Sequence, residues 1–133
     1  MPRSISDLSP LNQLAYDELY QRSILESVSR TFALTIPLLP PNLEKVVGNT
    51  YLLCRIIDTI EDAACINAQK KQDLSALFIQ TVLGHENPEI FVQECRIALI
   101  NHPNHDEKDL IENIPRVLRV LQSCDEGERH AVA

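Results

Sequence analysis

YLLCRIIDTIED, residues 51–62, is a run of apolar residues interrupted by one basic and three acidic side chains. In a helix that advances about 100° per residue, Arg55, Asp58 and Asp62 lie within roughly 40° of Tyr51. Apolar residues cover most of the remaining circumference. The pattern predicts a core helix with an ionic stripe rather than an amphipathic surface helix.

The acidic side chains of this stripe need compensation, because burying an unpaired carboxylate is costly. Arg55 supplies one positive charge. Against it stand Asp58, Glu61 and Asp62, which leaves a surplus near two negative charges. Mg²⁺ binds one or two carboxylates and fills its other positions with water and phosphate oxygens. The stripe therefore predicts a Mg²⁺ site in which Asp58 and Asp62 point the same way and Glu61 acts directly or through water. A solvated acidic helix face is the alternative, which the apolar flanks and the alignment with Tyr51 disfavour.

A second polar cluster, Ser29-Arg30-Thr31-Phe32, precedes a proline-rich turn at residues 37–41. Hydroxyl groups and a guanidinium suit a diphosphate. A Ser/Thr cluster at a helix end is also ordinary capping. These residues therefore support a diphosphate site only in combination with the acidic stripe.

The composition predicts an all-α fold, because glycine and aromatic residues are few and residues with high helix propensity are common. Helices are predicted at residues 10–30, 43–64, 67–83, 88–101, 106–123 and 125–133. Residues 31–36 either continue the first helix or bend. Asn42 is the predicted cap of the second helix and Asp106 of the fifth, Gly84 ends the third, and Pro115 is a candidate kink in the fifth.

Several classes of protein are disfavoured by charge and composition. A net charge of -7 without a basic patch argues against a nucleic-acid partner. Charged residues interrupt the apolar residues 46–66, which excludes a membrane span there. The cysteines Cys54, Cys65, Cys95 and Cys124 form no CxxC pair, and the first residues show no secretory signal. A reduced cytoplasmic protein with cysteines in its core is expected.

Taken together, these motifs resemble the squalene/phytoene synthase family. The resemblance rests on SRTFA at residues 29–33, the LLP turn at 38–40 and the run at 51–62, in this order and spacing. DTIED, residues 58–62, is closer to the form found in squalene synthases than to the paired aspartates common in phytoene synthases. The match is clear over residues 28–62 and weak but collinear beyond them.

The resemblance implies an all-α isoprenoid synthase fold and the head-to-head condensation of two farnesyl diphosphates through presqualene diphosphate to squalene. It implies metal binding by Asp58, Glu61 and Asp62, and catalytic roles for Tyr51 and Arg55. The residues implied to bind the prenyl diphosphate are Ser29, Arg30, Thr31, Phe32 and Arg55. NADPH is the implied hydride donor, with Arg30 and Arg55 as its contacts. The implied location is cytoplasmic, and a peripheral membrane contact for product release stays open.

The second aspartate-rich motif of the family is missing after Asp62. Residues 106–109, Asp-Glu-Lys-Asp, are typical of a helix start instead. The chain is therefore expected to be the N-terminal part of a single all-α domain, from a truncated or partial sequence, and inactive alone.

Two other interpretations stay open: a phytoene or dehydrosqualene synthase, which stops before hydride transfer, and a non-catalytic helical remnant. The histidines lack the spacing of metal ligands and are expected at the surface or in loops; they are His85, His102, His105 and His130.

Overall fold

The computed structural model describes residues 10–35 and 38–132, and within them all side chains except those of residues 10, 11, 32, 33 and 125–132. This described part consists of helices and contains no strand, which confirms the all-α prediction. The helices are α1 (Pro10–Val28), α2 (Arg30–Thr35), α3 (Pro41–Asp62), α4 (Ala68–Val82), α5 (Pro88–Ala98), α6 (His105–Glu112) and α7 (Ile114–Val132).

Proline begins helix α3 instead of ending the structure before it. Pro41 is the first residue of the helix, where its missing N–H costs no hydrogen bond and its fixed φ suits the helix. The N–H of Glu44 donates to the carbonyl oxygen of Pro40 over 2.8 Å. The predicted start at residue 43 with Asn42 as cap is therefore wrong, because Asn42 lies inside the first turn.

Pro115 acts in the same way at α7. It is the second residue of that helix, and the break falls at Asn113, the C-cap of α6. A single helix over residues 106–123 with a kink at Pro115 is therefore wrong. The separate helix predicted from residue 125 is also wrong, since α7 runs without interruption from Ile114 to Val132.

Among the described residues, asparagine side chains cap three helices. Asn67 accepts from the N–H of Lys70 at the start of α4, Asn87 caps α5 ahead of Pro88, and Asn104 caps α6. Each carbonyl oxygen satisfies one backbone donor that has no partner within the helix. The predicted cap of α6, Asp106, lies in its first turn instead.

Gly84 ends α4, as predicted. Its φ of +83° belongs to the left-handed region that glycine enters at little cost. The N–H of Gly84 donates to the carbonyl of Thr81, and that of His85 to the carbonyl of Gln80, at 3.1 and 2.9 Å. This pair of bonds is the Schellman motif.

The described residues group into two compact units, each considered by itself. Unit 1 comprises residues 10–35, 38–50 and 116–132, and unit 2 comprises residues 51–115. Helix α3 therefore contributes its first half to unit 1 and its second half to unit 2. The acidic stripe belongs to unit 2.

Unit 1 has a polar interior beside its apolar core. The carboxylate of Asp17 is fully buried, and Arg119 contacts both of its oxygens, with Nε to Oδ2 at 2.6 Å and Nη2 to Oδ1 at 3.1 Å. Buried Asn49 donates from Nδ2 to the side-chain oxygen of Gln21 and to the carbonyl oxygen of Val117, at 3.0 and 2.9 Å. These bonds join α1, α3 and α7 through specific partners.

Unit 2 has an apolar core built on the second half of α3. Leu52, Ile56 and Ile60 recur at helical spacing and are fully buried. Helix α4 packs on α5, where the rings of Phe78 and Phe91 lie with centroids 5.5 Å apart and planes tilted by 49°. This core fixes the rotation of α3 and so decides which of its side chains face outward.

None of the helices in the described residues is long and apolar enough to cross a membrane. That finding agrees with the interruption of residues 46–66 by charged side chains.

The cysteines divide into two pairs. Cys95 and Cys124 are buried, as predicted, whereas Cys54 and Cys65 are exposed, so the prediction that all four lie in the core is wrong for this second pair. Burial raises the pKa of the Cys95 thiol to about 12, because the thiolate would lose its hydration.

Alkylation should therefore distinguish these two pairs. At about pH 8 we expect iodoacetamide to modify Cys54 and Cys65 of the folded chain, while Cys95 and Cys124 stay unmodified, since the thiolate is the reactive form. Mass spectrometry of tryptic peptides measures each site, and the same reaction in urea is the control in which all four react. Modification of Cys95 in the folded chain at the rate of Cys54 would contradict its burial.

Candidate functional site

Helix α3 presents two different faces within unit 2. Leu52, Ile56 and Ile60 form the buried face, while Asp58 and Asp62 are exposed. The prediction of a helix buried around most of its circumference is therefore wrong, since the segment is amphipathic. A sequence pattern shows which side chains are apolar, but the number of neighbouring helices decides how many of them are covered.

The three acidic side chains at the end of α3 carry no partner within the described residues. The carboxylates of Asp58, Glu61 and Asp62 are exposed, and none of them makes an ion pair or a side-chain hydrogen bond there. They stand in the last two turns of the helix, which contains no basic residue in its final turn. The negative pole of the helix dipole lies at this end, so these acids are placed against the local electrostatic preference.

Arg55 does not compensate these acids. Its Nε–H donates to Oε2 of Glu107 over 3.1 Å, and its Nη2 lies 3.0 Å from the same oxygen. The predicted charge balance, in which Arg55 offsets one acid of the stripe, is therefore wrong. The surplus on Asp58, Glu61 and Asp62 is near three negative charges instead of two, which strengthens the case for a divalent cation.

Tyr51, Arg55, Glu107 and His102 form one hydrogen-bonded cluster. Arg55 directs Nη1 toward the hydroxyl of Tyr51 over 3.5 Å. The second oxygen of Glu107, Oε1, lies 2.8 Å from Nε2 of His102. His102 lies in the loop between α5 and α6, as predicted, and its side chain and that of Glu107 are largely buried there.

The capping of α6 places Glu107. Asn104 is the N-cap, and its side chain accepts from the N–H of Glu107 over 3.0 Å. Asn104 and Glu107 have the spacing of a capping box, in which the acidic side chain usually turns back to the cap. Here the carboxylate turns to Arg55 and His102 instead. The sequence shows the spacing but not this choice of partner.

Lys71 secures the end of α3. Its ammonium donates to the carbonyl oxygen of Glu61 over 2.7 Å. The last carbonyls of a helix have no partner within it, and a cation interacts favourably with them. Lys71 therefore holds the backbone that carries the acids without pairing with their carboxylates.

The second predicted cluster lies at the junction of α1 and α2, in unit 1. The N–H of Ser29 donates to the carbonyl of Leu25 over 2.9 Å, and Arg30 and Thr31 are exposed at the start of α2. The side chain of Phe32 lies outside the described residues. The diphosphate roles of Ser29, Arg30, Thr31 and Phe32 stay predictions.

The acids at the end of α3 fit Mg²⁺ in their chemistry. Carboxylate oxygens are hard ligands, and Asp58 and Asp62, one helical turn apart, leave room for the water and phosphate oxygens that Mg²⁺ retains. Across the described part of the chain, no group of three or more acidic, histidine or cysteine side chains converges closely enough to hold a metal ion. The acids are thus suited to a site that other ligands complete. The exposed guanidinium of Arg30 likewise suits a phosphate group, such as that of NADPH.

A known protein family matches most of the chain. Residues 25–130 match the family model described as squalene/phytoene synthase. No solved structure matches the chain closely enough to count as a relative.

Three curated proteins, each named squalene synthase, are similar to parts of the chain. The one from Dictyostelium discoideum is 31% identical over 104 residues, which are 78% of this chain and 23% of that protein. The one from Nicotiana benthamiana is 41% identical over 64 residues, which are 48% of this chain and 16% of that protein. The one from Mycosarcoma maydis is 29% identical over 109 residues, which are 82% of this chain and 18% of that protein. The chain therefore spans about a fifth of the length of these relatives. With the family model matched over most of its residues, the resemblance expected from the motifs is confirmed, and the chain belongs to the squalene/phytoene synthase family.

Proposed function

We propose that this chain belongs to a transferase that condenses two molecules of farnesyl diphosphate head-to-head and reduces the product to squalene. The observation that carries the proposal is the set of exposed acids Asp58, Glu61 and Asp62 at the end of α3, which make no ion pair within the part of the chain that the structure describes. An unpaired surplus of charge is unfavourable in the metal-free protein, and a Mg²⁺-diphosphate complex offsets it. The names of the relatives and the DTIED sequence support squalene as the product.

The residues of the chain have separable roles in this proposal. When bound, Mg²⁺ stabilises the negative charge that develops on the departing diphosphate. Asp58 and Asp62 hold the ion from one face of α3, and Glu61 assists directly or through water. Arg55 donates to diphosphate oxygens, and Tyr51 lines the reacting end of the substrate beside it. A preorganised donor is effective because it need not reorient during the reaction.

The condensation joins C1 of one farnesyl group to the double bond of the second molecule, and it releases diphosphate and a proton. Presqualene diphosphate would then lose its own diphosphate, and bound NADPH would be the source of the hydride that completes squalene. Ser29, Arg30, Thr31 and Phe32 contribute donors and an apolar surface for the diphosphate or the cofactor. Because squalene is apolar, we also propose that the protein contacts a membrane peripherally when it releases this product.

Product analysis tests this function. The complete gene product is incubated with radiolabelled farnesyl diphosphate and Mg²⁺, with and without NADPH, and the extracted lipids are separated by chromatography. We expect squalene with NADPH, presqualene diphosphate without it, and no turnover when EDTA removes the metal.

The other outcomes identify the alternatives. Dehydrosqualene, or phytoene from a longer substrate, in the presence of NADPH would overturn the squalene assignment but keep the reaction class. Failure to consume any prenyl diphosphate would overturn the enzyme assignment and favour a non-catalytic helical protein.

A further inference from the structure

We propose that Glu107 is a positioning residue for Arg55, which holds the guanidinium away from Asp58 and directs its unused edge toward the diphosphate. The inference rests on the proposed function, since it assigns a role within the same site. It concerns a residue on α6 that the motif at residues 51–62 does not contain.

Without Glu107, Arg55 has a competing partner on its own helix. Arg55 and Asp58 stand three residues apart, a spacing at which opposite charges on a helix attract each other. In the structure Arg55 contacts Glu107 at 3.0 and 3.1 Å, and Asp58 makes no ion pair within the described residues. Glu107 thereby leaves the Asp58 carboxylate available for a metal ion.

The contact with Glu107 also selects which edge of Arg55 remains available. Oε2 of Glu107 lies against Nε and Nη2, so that edge of the guanidinium is occupied. Nη1 is aimed at the hydroxyl of Tyr51, but 3.5 Å is too long for a strong hydrogen bond. The donors of Nη1 and the outer donor of Nη2 can therefore serve phosphate oxygens in the planar geometry that arginine favours.

Burial and a contact between Glu107 and His102 hold Arg55 in this orientation. The side chain of Glu107 is only 14% exposed and that of His102 only 12%, so solvent screens the cluster far less than a surface pair. His102 contacts Oε1 of Glu107 and keeps that carboxylate from rotating away from Arg55. The long side chain of Arg55 thus loses its conformational entropy during folding and not during substrate binding.

The inference is tested with Glu107→Gln, which removes the charge and keeps the shape. Calorimetry of inorganic diphosphate binding to the complete gene product in saturating Mg²⁺ gives one readout, and the Mg²⁺ concentration for half-maximal turnover gives the second. We expect the Kd for diphosphate to rise about tenfold, as for loss of a hydrogen bond to a charged group. The Mg²⁺ requirement should rise about twofold, because Arg55 then competes for Asp58.

The matched control is Glu112→Gln on the same helix. Glu112 accepts from Nε and Nη2 of Arg96 at 2.7 and 2.8 Å, so the control also breaks a Glu-Arg pair, but one that does not touch the stripe. It should leave both readouts within about twofold of the wild-type values, which is the range of an exposed ion pair.

A double-mutant cycle separates positioning from a general structural role. In an Arg55→Met background, Glu107→Gln should change diphosphate binding less than about twofold, because the residue it positions is gone. An undiminished effect in that background, or an effect in the wild-type background no larger than that of Glu112→Gln, would overturn the inference. If Glu107→Gln does not fold, His102→Gln is measured instead and should weaken diphosphate binding in the same direction; an unchanged Kd would overturn the inference.

The proposed function and this inference fail in different ways. A wild-type protein that binds diphosphate but condenses no farnesyl diphosphate would overturn the function, while weaker binding by Glu107→Gln would still support the positioning role. A wild-type protein that binds no diphosphate in Mg²⁺ would overturn both.

Discussion

The variant Asp62→Asn is expected to be more stable than the wild-type protein in the absence of metal and to lose Mg²⁺-dependent turnover. Asp62 is the last residue of α3, where the helix dipole is negative, and Asp58 lies one turn before it. The helix dipole and the repulsion from Asp58 both disfavour a carboxylate at residue 62. The same carboxylate is a proposed ligand of Mg²⁺, so its removal should uncouple stability from activity.

The size of the gain follows from the two electrostatic terms. Removing a misplaced charge at a helix terminus returns about 0.3–1 kcal/mol at low ionic strength, and removing a like charge at i, i+4 spacing returns about 0.2–0.5 kcal/mol. Urea denaturation without Mg²⁺ measures the free energy of unfolding. Saturating Mg²⁺ and diphosphate should stabilise the wild-type protein but not Asp62→Asn or Asp58→Asn, because only a bound ligand shifts the folding equilibrium.

Glu89→Gln is the control, for which the opposite change in stability is expected. Glu89 lies in the first turn of α5, where the dipole favours an acid, and it is exposed. Its neutralisation should lower stability by about 0.3–1 kcal/mol and leave turnover unchanged. Full Mg²⁺-dependent turnover by Asp62→Asn and Asp58→Asn would refute the metal assignment, and a less stable Asp62→Asn would refute the electrostatic argument.

Local signals in the sequence determine most of the helix boundaries. The stop of α4 at Gly84 depends on side chains within a few residues, and this prediction is confirmed. The helix predicted from residue 67 is also found, with Asn67 as its N-cap. The starts of α3 and α7 were misplaced because proline is compatible with the first turn of a helix as well as with its end. At Pro41 and Pro115 the sequence alone does not distinguish these two uses.

Only the part of the candidate site that lies on a single helix could be predicted from the sequence. The stripe from Tyr51 to Asp62 lies on one helix, so its spacing could be derived from the periodicity. The partner of Arg55 could not, because Glu107 is 52 residues away along the chain and the contact depends on how the intervening helices pack. The exposure of the acids is also a tertiary property, since it depends on which faces of α3 the neighbouring helices cover.

The acids at the end of α3 lie against a local electrostatic preference and make no compensating ion pair within the described residues, whereas Glu112 at the end of α6 pairs with Arg96. Acids stand in the first turns of α3, α5 and α6, where the dipole favours them. Sites that violate such rules without a compensating contact are where function is expected. The unfavourable placement of Asp58 and Asp62 therefore supports the proposal that a cationic ligand binds there.

The buried ion pair of unit 1 should give the largest loss of stability in the described part of the chain. Asp17 on α1 has no exposed surface, whereas the side chain of Arg119 on α7 is 35% exposed. The two partners are therefore unequal. Arg119→Met leaves a carboxylate in the interior without compensation and should cost about 3–5 kcal/mol.

Asp17→Asn should cost less, about 1–3 kcal/mol, because the freed guanidinium of Arg119 can turn toward water. These values are large against a typical free energy of unfolding of about 5–15 kcal/mol. Chemical denaturation of both variants shows which of them loses more free energy of unfolding. The double variant Asp17→Leu/Arg119→Met completes the comparison.

In the double variant an apolar pair replaces two charges, so most of the loss from Arg119→Met should be recovered, since buried ion pairs are often no more stabilising than apolar residues of similar volume. A double variant as unstable as Arg119→Met would mean that the cost arises from lost packing. If Arg119→Met cost less than about 1 kcal/mol, the carboxylate of Asp17 would have to be reached by water or protonated when unpaired. The measured order thus decides whether this pair contributes through its charges or through the space it fills between α1 and α7.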